Sequence, residues 1–391
     1  MTCILSDSYI KVQGRWHVKY WFVSDIGKFE ATVSRMSMSL SVTLGATQNG
    51  QLTVNTTKCV SRIARLDIHL RGGASWLYNV FQGQLEKQIR NTLQRKLCDH
   101  AENKINVDIA RKLSNLLVVP LGHDKQWLLD YRLVSPPAFE SGYLELFHKG
   151  EFFNRGNSTE APFQPSPLPS PPISNSMVTI WISDYVFNTA GYVWQKRGMV
   201  SYNMTKNNLP KDLTGLLSTT CTIQDRCLGI LIPQVGQKYP NSSIEVNVST
   251  TEPPSVIIDA QDIIVRLVGS LAFRARLQDS SSADLFGVNV VLNVSVVPFI
   301  EQQVLKAKVS STDKNVSMNL ANSNVGTVPA DILKLLLDAV KKTYVIPKMK
   351  EVSKRGMPLG QPEIKNFIFV KPQLQLENNC VRISTNAYYQ E

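Results

Sequence analysis

No apolar run in this 391-residue chain approaches the ~18 residues a membrane-spanning helix requires, so none is predicted. The opening residues, MTCILSDSYIKVQGRW, also lack the apolar stretch of a secretory leader. Taken literally, that places the protein in the cytosol. Histidine is scarce, and His17, His69, His100, His123 and His148 show no metal-ligand spacing such as H-E-x-x-H. G-x-S-x-G, the P-loop and a G-x-G-x-x-G after a strand are missing as well. Cys98-Asp99-His100 sets a thiol beside an imidazole, but adjacent helical residues point in different directions, so a disulfide partner is the simpler reading than a nucleophile. The chain therefore reads as non-enzymatic, with no metal.

What is present is globular: 43% hydrophobic and 19% charged residues. The length suits two ordinary domains. Seven N-x-S/T sequons, at Asn55, Asn157, Asn203, Asn241, Asn247, Asn293 and Asn315, are candidate glycosylation sites. Six cysteines without a C-x-x-C pair fit disulfides better than zinc. Both features oppose the literal cytosolic reading and favour a secreted protein whose start is missing. The net charge of +11 is uneven: 19 Lys/Arg against 12 Asp/Glu in residues 1–150, and 23 against 19 in the remainder. A basic balance points to anionic partners, namely phospholipid, lipopolysaccharide, heparin-like glycans or nucleic acid, and composition does not choose among them.

Ala161 to Ser176, APFQPSPLPSPPISNS, is proline-dense and should run extended as a semi-rigid strap. The blocks on either side share one order of elements. In the first, Tyr9 to Tyr20 and Phe29 to Val42 alternate apolar and polar residues as half-buried strands do, with a turn at Asp25-Ile26-Gly27-Lys28. Runs at Gln51 to Asn55 and Ile63 to Leu70 extend this meander. Then Trp76, Leu77, Val80, Phe81, Leu85, Ile89, Leu93 and Leu97 recur mostly at three and four behind Ser75, which predicts a long amphipathic helix running toward Leu113. In the second block Met177 to Ile182 is a strand, and Ser183-Asp184 caps a short helix. A series of strands follows, then a helix opened by Val328-Pro329-Ala330-Asp331. The predicted fold class is α+β, with two similar halves. The expected domains are residues 1–154, a proline-rich linker at 155–176, and residues 177–391.

Several segments carry a resemblance to a known family: Ile10-Lys11-Val12-x-Gly14-Arg15-Trp16, Ser75-Trp76-Leu77, Val134-Ser135-Pro136-Pro137, Lys149-Gly150-Glu151-Phe152, Ser183-Asp184-Tyr185-x-Phe187-Asn188-Thr189-Ala190-Gly191 and Arg355-Gly356-x-Pro358-Leu359. In this order, over nearly the whole chain, they resemble the bactericidal/permeability-increasing and lipopolysaccharide-binding protein family. The resemblance implies a boomerang of two barrels, each with a long helix, joined by a central antiparallel sheet, with an apolar lipid pocket in each half. It also implies a signal peptide, a first strand and a long first helix ahead of Tyr9, so the amino-terminal barrel is expected to be incomplete here.

Lys11, Arg15 and Lys19 share alternation parity, interleave with Trp16, and meet no acid between Asp7 and Asp25. Cations beside aromatic groups suit phosphates above acyl chains, although an ordinary solvated strand face accounts for the same residues. Lys87 and Arg90 are further lipopolysaccharide candidates, although with Glu86 and Asp99 nearby a charge-laced outer helix face explains them more simply. Under the resemblance, Trp76, Val80, Phe81 and Ile89 in the first half, and Phe187, Val193, Leu336 and Val340 in the second, are candidate pocket linings. Taken singly, each is also ordinary core. The resemblance pairs Cys59 with Cys98, worth about 3–4 kcal/mol as a loop closure. Cys221 and Cys227 are close enough in sequence for a local bridge, and the pairing of Cys3 and Cys380 stays open. The implied function is a secreted, monomeric, lipid-binding protein of innate defence. It would engage lipopolysaccharide, phospholipid and the bacterial outer-membrane surface, with no nucleic-acid partner and no cofactor beyond a bound phospholipid. Phospholipid transfer without bacterial recognition is the alternative, and a structural or regulatory module is a third.

Overall fold

The computed structural model describes residues 1–20, 23–73, 82–114, 117–121, 127–156, 160–169, 175–222, 226–359 and 367–390. They form two compact units, Met1–Val118 with Tyr131–Lys149, and Val119–Asp130 with Gly150–Glu391. The chain thus passes between units three times. The boundary expected at 154–155 falls inside the second unit, and so does the proline-rich strap expected as a linker.

The first unit is built on three long antiparallel strands in the order β1-β2-β3. β1 is Thr2–Tyr20, β2 is Val23–Ala46 and β3 is Leu52–Arg71. The turn expected at Asp25–Lys28 is not one: these residues lie within β2, opposite Val18 to Arg15, and the register closes at Tyr20 opposite Val23. Trp16 explains how Gly27 survives mid-strand. A β-carbon at Gly27 would lie 2.5 Å from both the Trp16 ring and the Arg71 carbonyl, so the aromatic ring supplies the packing that glycine cannot. The runs near Gln51 and Ile63 likewise merge into one strand, carried through by a bulge at Thr57 of β3, opposite Ser41 and Val42 of β2.

Period-two alternation, with its phase reset at Arg35 (φ 52°) between Val33 and Met36 and opposite it between Ile63 and Leu66, turns Ala31, Val33, Met36, Ile63, Leu66 and Ile68 to the inner face, where they are buried. Helix α1, Gln82–Asn103, lays Ile89, Leu93 and Leu97 on that cluster. Its path continues through a π-helical segment, Lys104–Ile109, to Ala110–Ser114, as the spacing toward Leu113 predicts. There Ile105, Ala110 and Leu113 pack on a second cluster of Leu40, Val42 and Val54. Trp76, Val80 and Phe81, expected at the start of this helix, lie outside the described residues.

The chain then supplies β4, Val118–Leu121, and β5, Trp127–Asp130. It next forms a hairpin, β6 at Ala138–Glu140 and β7 at Tyr143–Glu145, and afterwards β8, Glu151–Asn154, which completes a β4-β5-β8 sheet. In the second unit β9, Val178–Ser183, runs into helix α2, Asp184–Lys196. Ser183 sits at the expected N-cap, although its side chain makes no capping hydrogen bond. A β-carbon on Gly191 would sit 2.0 Å from the Pro254 carbonyl oxygen, so α2 depends on that glycine for its approach. Phe163 of the strap stands edge-on to Tyr185 and Tyr192 of this helix, at 5.8 and 6.1 Å.

β10 (Ser201–Met204), β11 (Ser243–Thr250), β12 (Ser255–Ile258), β13 (Ile263–Arg276), β14 (Ser282–Glu301) and β15 (Val304–Ser323) make most of a seven-stranded sheet. Its core includes Phe273 stacked on Phe286 at 4.4 Å and the fully buried Val246, Leu285 and Val294. Helix α3, Ala330–Val340, passes through a π-helical segment, Lys341–Val345, into α4, Ile346–Arg355. β16, Met357–Pro358, closes that sheet's edge, while β17, Phe367–Glu377, and β18, Cys380–Tyr389, pair with β9 in the order β17-β18-β9. No helix among the described residues is long and apolar enough to cross a membrane.

Candidate functional site

β1 is regular from Ile10 to Tyr20, so Lys11, Arg15 and Lys19 share one face, and all three are exposed. The register then adds two cations that β1 alone does not show. Arg15 lies opposite Lys28 of β2, and Lys28 lies opposite Arg71 of β3. At a strand spacing of about 4.8 Å, the three make a cationic row roughly 10 Å wide. Arg15, Lys19 and Lys28 have no carboxylate partner among the described residues, whereas the Arg71 charge acts on Glu30 and helps hold that carboxyl low. Lys11 differs, because it pairs with Glu30. The Glu30 hydrogen bond raises the Lys11 ammonium above the ordinary lysine range, and the same bond holds Glu30 below the ordinary carboxylate range. Trp16 has the other parity. It is half-buried over Gly27 with its indole N–H donating to the Lys28 carbonyl at 3.2 Å, so it does not share the face of the cations. Ile26, 69% exposed, is the large apolar group on the cationic side, opposite His17.

The remaining expected residues are placed less simply. Lys87 is exposed on α1, whereas Arg90 is half-buried with its Nε shielded and unbonded among the described residues. Of the expected linings, Ile89 packs into the sheet–helix core of the first unit. Phe187 and Val193 are half-buried on α2, and Leu336 and Val340 are buried on α3. An open cleft of about 390 Å3 lies beside the Cys221–Cys227 bridge, lined by Thr219, Thr220, Gly229, Ile230 and Pro233, and none of the expected lining residues borders it. No group of metal-ligating side chains occurs among the described residues.

Two domain models of one family cover the chain. The N-terminal domain of the LBP / BPI / CETP family matches residues 3–116, and its C-terminal domain matches residues 122–389. The chain belongs to the LBP / BPI / CETP family. Among relatives in that family, a bactericidal permeability-increasing protein of Sebastes schlegelii is 27% identical over 386 residues, spanning 98% of this chain and 79% of the relative. The human lipopolysaccharide-binding protein is 28% identical over 385 residues, spanning 98% and 78%. A crystal structure of lipopolysaccharide binding protein, 24% identical, superposes with a TM-score of 0.57 over 100% of this chain and 83% of that one. This chain therefore has the α+β fold of the family.

Both disulfides form in this family member. Cys59 of β3 and Cys98 of α1 stand 5.7 Å apart at Cα, and Cys221 and Cys227 stand 6.2 Å apart. Cys3 is free and exposed; Cys380 is free and buried. Burial, with Glu377 and Asp184 nearby, pushes the Cys380 thiol up to about 11. Among the sequons, Asn55, Asn203, Asn241 and Asn247 are exposed. Asn293 is half-buried with its side-chain oxygen shielded, which places it poorly for a glycan. Asn157 and the Asn315 side chain lie outside the described residues.

Proposed function

We propose that this family member is a secreted, monomeric lipid-binding protein of innate defence that engages lipopolysaccharide and phospholipid at the Gram-negative surface. The observation that carries the reading is the Arg15–Lys28–Arg71 row with Lys19 beside it, four exposed cations on one sheet face, three of them without a carboxylate partner among the described residues. Charge draws such a face to phosphate-bearing lipid, and acyl burial holds it there. The action is binding, with no chemical turnover and no cofactor beyond a bound phospholipid. The names of the relatives, bactericidal permeability-increasing protein and lipopolysaccharide-binding protein, support this class of ligand.

The test is lipopolysaccharide affinity of R15Q/K28Q/R71Q against the parent chain. At about 1 kcal/mol per cation near an anionic surface, low-salt affinity should fall roughly 100-fold, with a shallower salt dependence. Unchanged affinity at low and high salt refutes the site. One observation favours a second reading, phospholipid transfer without bacterial recognition: Glu30 neutralises Lys11 and thins the cationic face. Equal binding to lipopolysaccharide and to neutral phosphatidylcholine vesicles selects that reading.

A further inference from the structure

We propose that the second unit carries its own docking surface for an anionic phospholipid bilayer, formed by the outer side of α4 and the adjoining β14–β15 pair. Residues 341–355 hold six cations against Glu351 alone. Three of the six have local partners. Lys341 is buried and paired with Asp338 at 2.7 Å, while Lys348 and Arg355 share Glu351 at 3.1 and 2.9 Å. Lys342, Lys350 and Lys354 are exposed and have no acidic partner among the described residues. Offsetting the helix dipole accounts for Lys354 in the last turn. It does not account for Lys350, which stands one turn earlier at i,i+4 from Lys354, where like charges weaken a helix.

The sheet beside α4 extends the same chemistry. The Ser353 hydroxyl donates to the Ala307 carbonyl, which seats α4 on β15. A β-carbon on Gly356, just past α4, would lie 2.9 Å from Lys306 Cγ. Lys306 faces Phe299 across the β14–β15 ladder and is paired with Glu301 at 2.7 Å, while Lys308 faces Val297, so the four share one sheet face with Lys308 as its free cation among the described residues. Lys308 is exposed without an acidic partner among the described residues, and Val297 and Phe299 are 53% and 38% exposed. Lys308 beside exposed apolar side chains, with Lys350 and Lys354 on α4, suits a bilayer surface, where the ammoniums meet headgroup phosphates while the apolar groups enter the acyl boundary. A glycan or nucleic acid offers the charge but leaves Val297 and Phe299 in water.

The measurement is sedimentation with phosphatidylcholine vesicles containing phosphatidylglycerol, using the full chain already carrying R15Q/K28Q/R71Q. That background isolates the second unit, so failure here is separable from failure of the first-unit site. K350Q/K354Q should weaken the residual low-salt binding about 30-fold, from roughly fivefold per lysine. K350R/K354R should restore it, which excludes a folding defect. In the same background, F299W should gain quenching by bromine-labelled acyl chains. Residual binding unchanged by K350Q/K354Q overturns the proposal. So does equal weakening toward heparin with no quenching at position 299, which marks a polyanion site.

Discussion

Lys28 should destabilise the protein that it equips for binding. It stands between Arg15 and Arg71 by strand register; neither it nor Arg15 has a carboxylate partner among the described residues, while Arg71 also acts on Glu30. Like charges directly opposite on an antiparallel pair are unfavourable by roughly 0.2–1 kcal/mol, and Lys28 meets two. The two contacts sum to roughly 0.4–2 kcal/mol, and exposure keeps the total from the upper end, at about 1 kcal/mol. K28Q should therefore raise thermal stability by a few degrees at low salt, on the order of 2–4 °C. The same change removes one cation from the row proposed to meet lipid and, under that proposal, should weaken lipopolysaccharide binding about fivefold. K58Q, an exposed lysine on β3 opposite Ser41 and outside the row, is the control and should leave both readouts unchanged. Melting by calorimetry and binding by surface plasmon resonance, each at low and high salt, read the two signs independently. Stability that stays flat or falls in K28Q, with binding intact, refutes the cationic row.

Two further outcomes follow from the cysteines. C59A/C98A opens a loop with a sequence separation of 39 and should lower denaturant stability by about 4 kcal/mol, so a loss under 1 kcal/mol contradicts the tie between β3 and α1. Cys380, with a folded pKa of about 11 against an ordinary thiol near 8.5–9, stays protonated where the unfolded thiol ionises. The stability it protects is therefore complete below about pH 9 and is lost as pH rises toward about 11. In the native protein at pH 8, iodoacetamide should label the exposed Cys3 and spare Cys380. Fast labelling of Cys380 contradicts its burial.

Much of the fold is legible because burial imposes a period. Ala31, Val33 and Ile68 turn inward since alternate residues face alternate sides of a strand, and Ile89, Leu93 and Leu97 share one stripe of α1. Turn chemistry misleads at Asp25–Lys28, since a local Asp/Gly signal says nothing of the Trp16 ring that covers Gly27 from the neighbouring strand. The strap misleads for a related reason. Its prolines fix an extended backbone, but Phe163 against Tyr185 and Tyr192, in contacts no local pattern records, seats it within the second unit.

The chain by itself determined its α+β class, its two long helices with their apolar stripes, and the shared face of Lys11, Arg15 and Lys19, because these depend only on periods of 3.6 and 2. Tertiary structure alone decided that Lys28 and Arg71 join Arg15, that Glu30 takes Lys11 out of the free charge, and that Lys308 lies beside Val297. Those neighbours are 11 to 43 residues apart along the chain, and only hydrogen-bonded strand register, set by burial on the opposite face, brings them together.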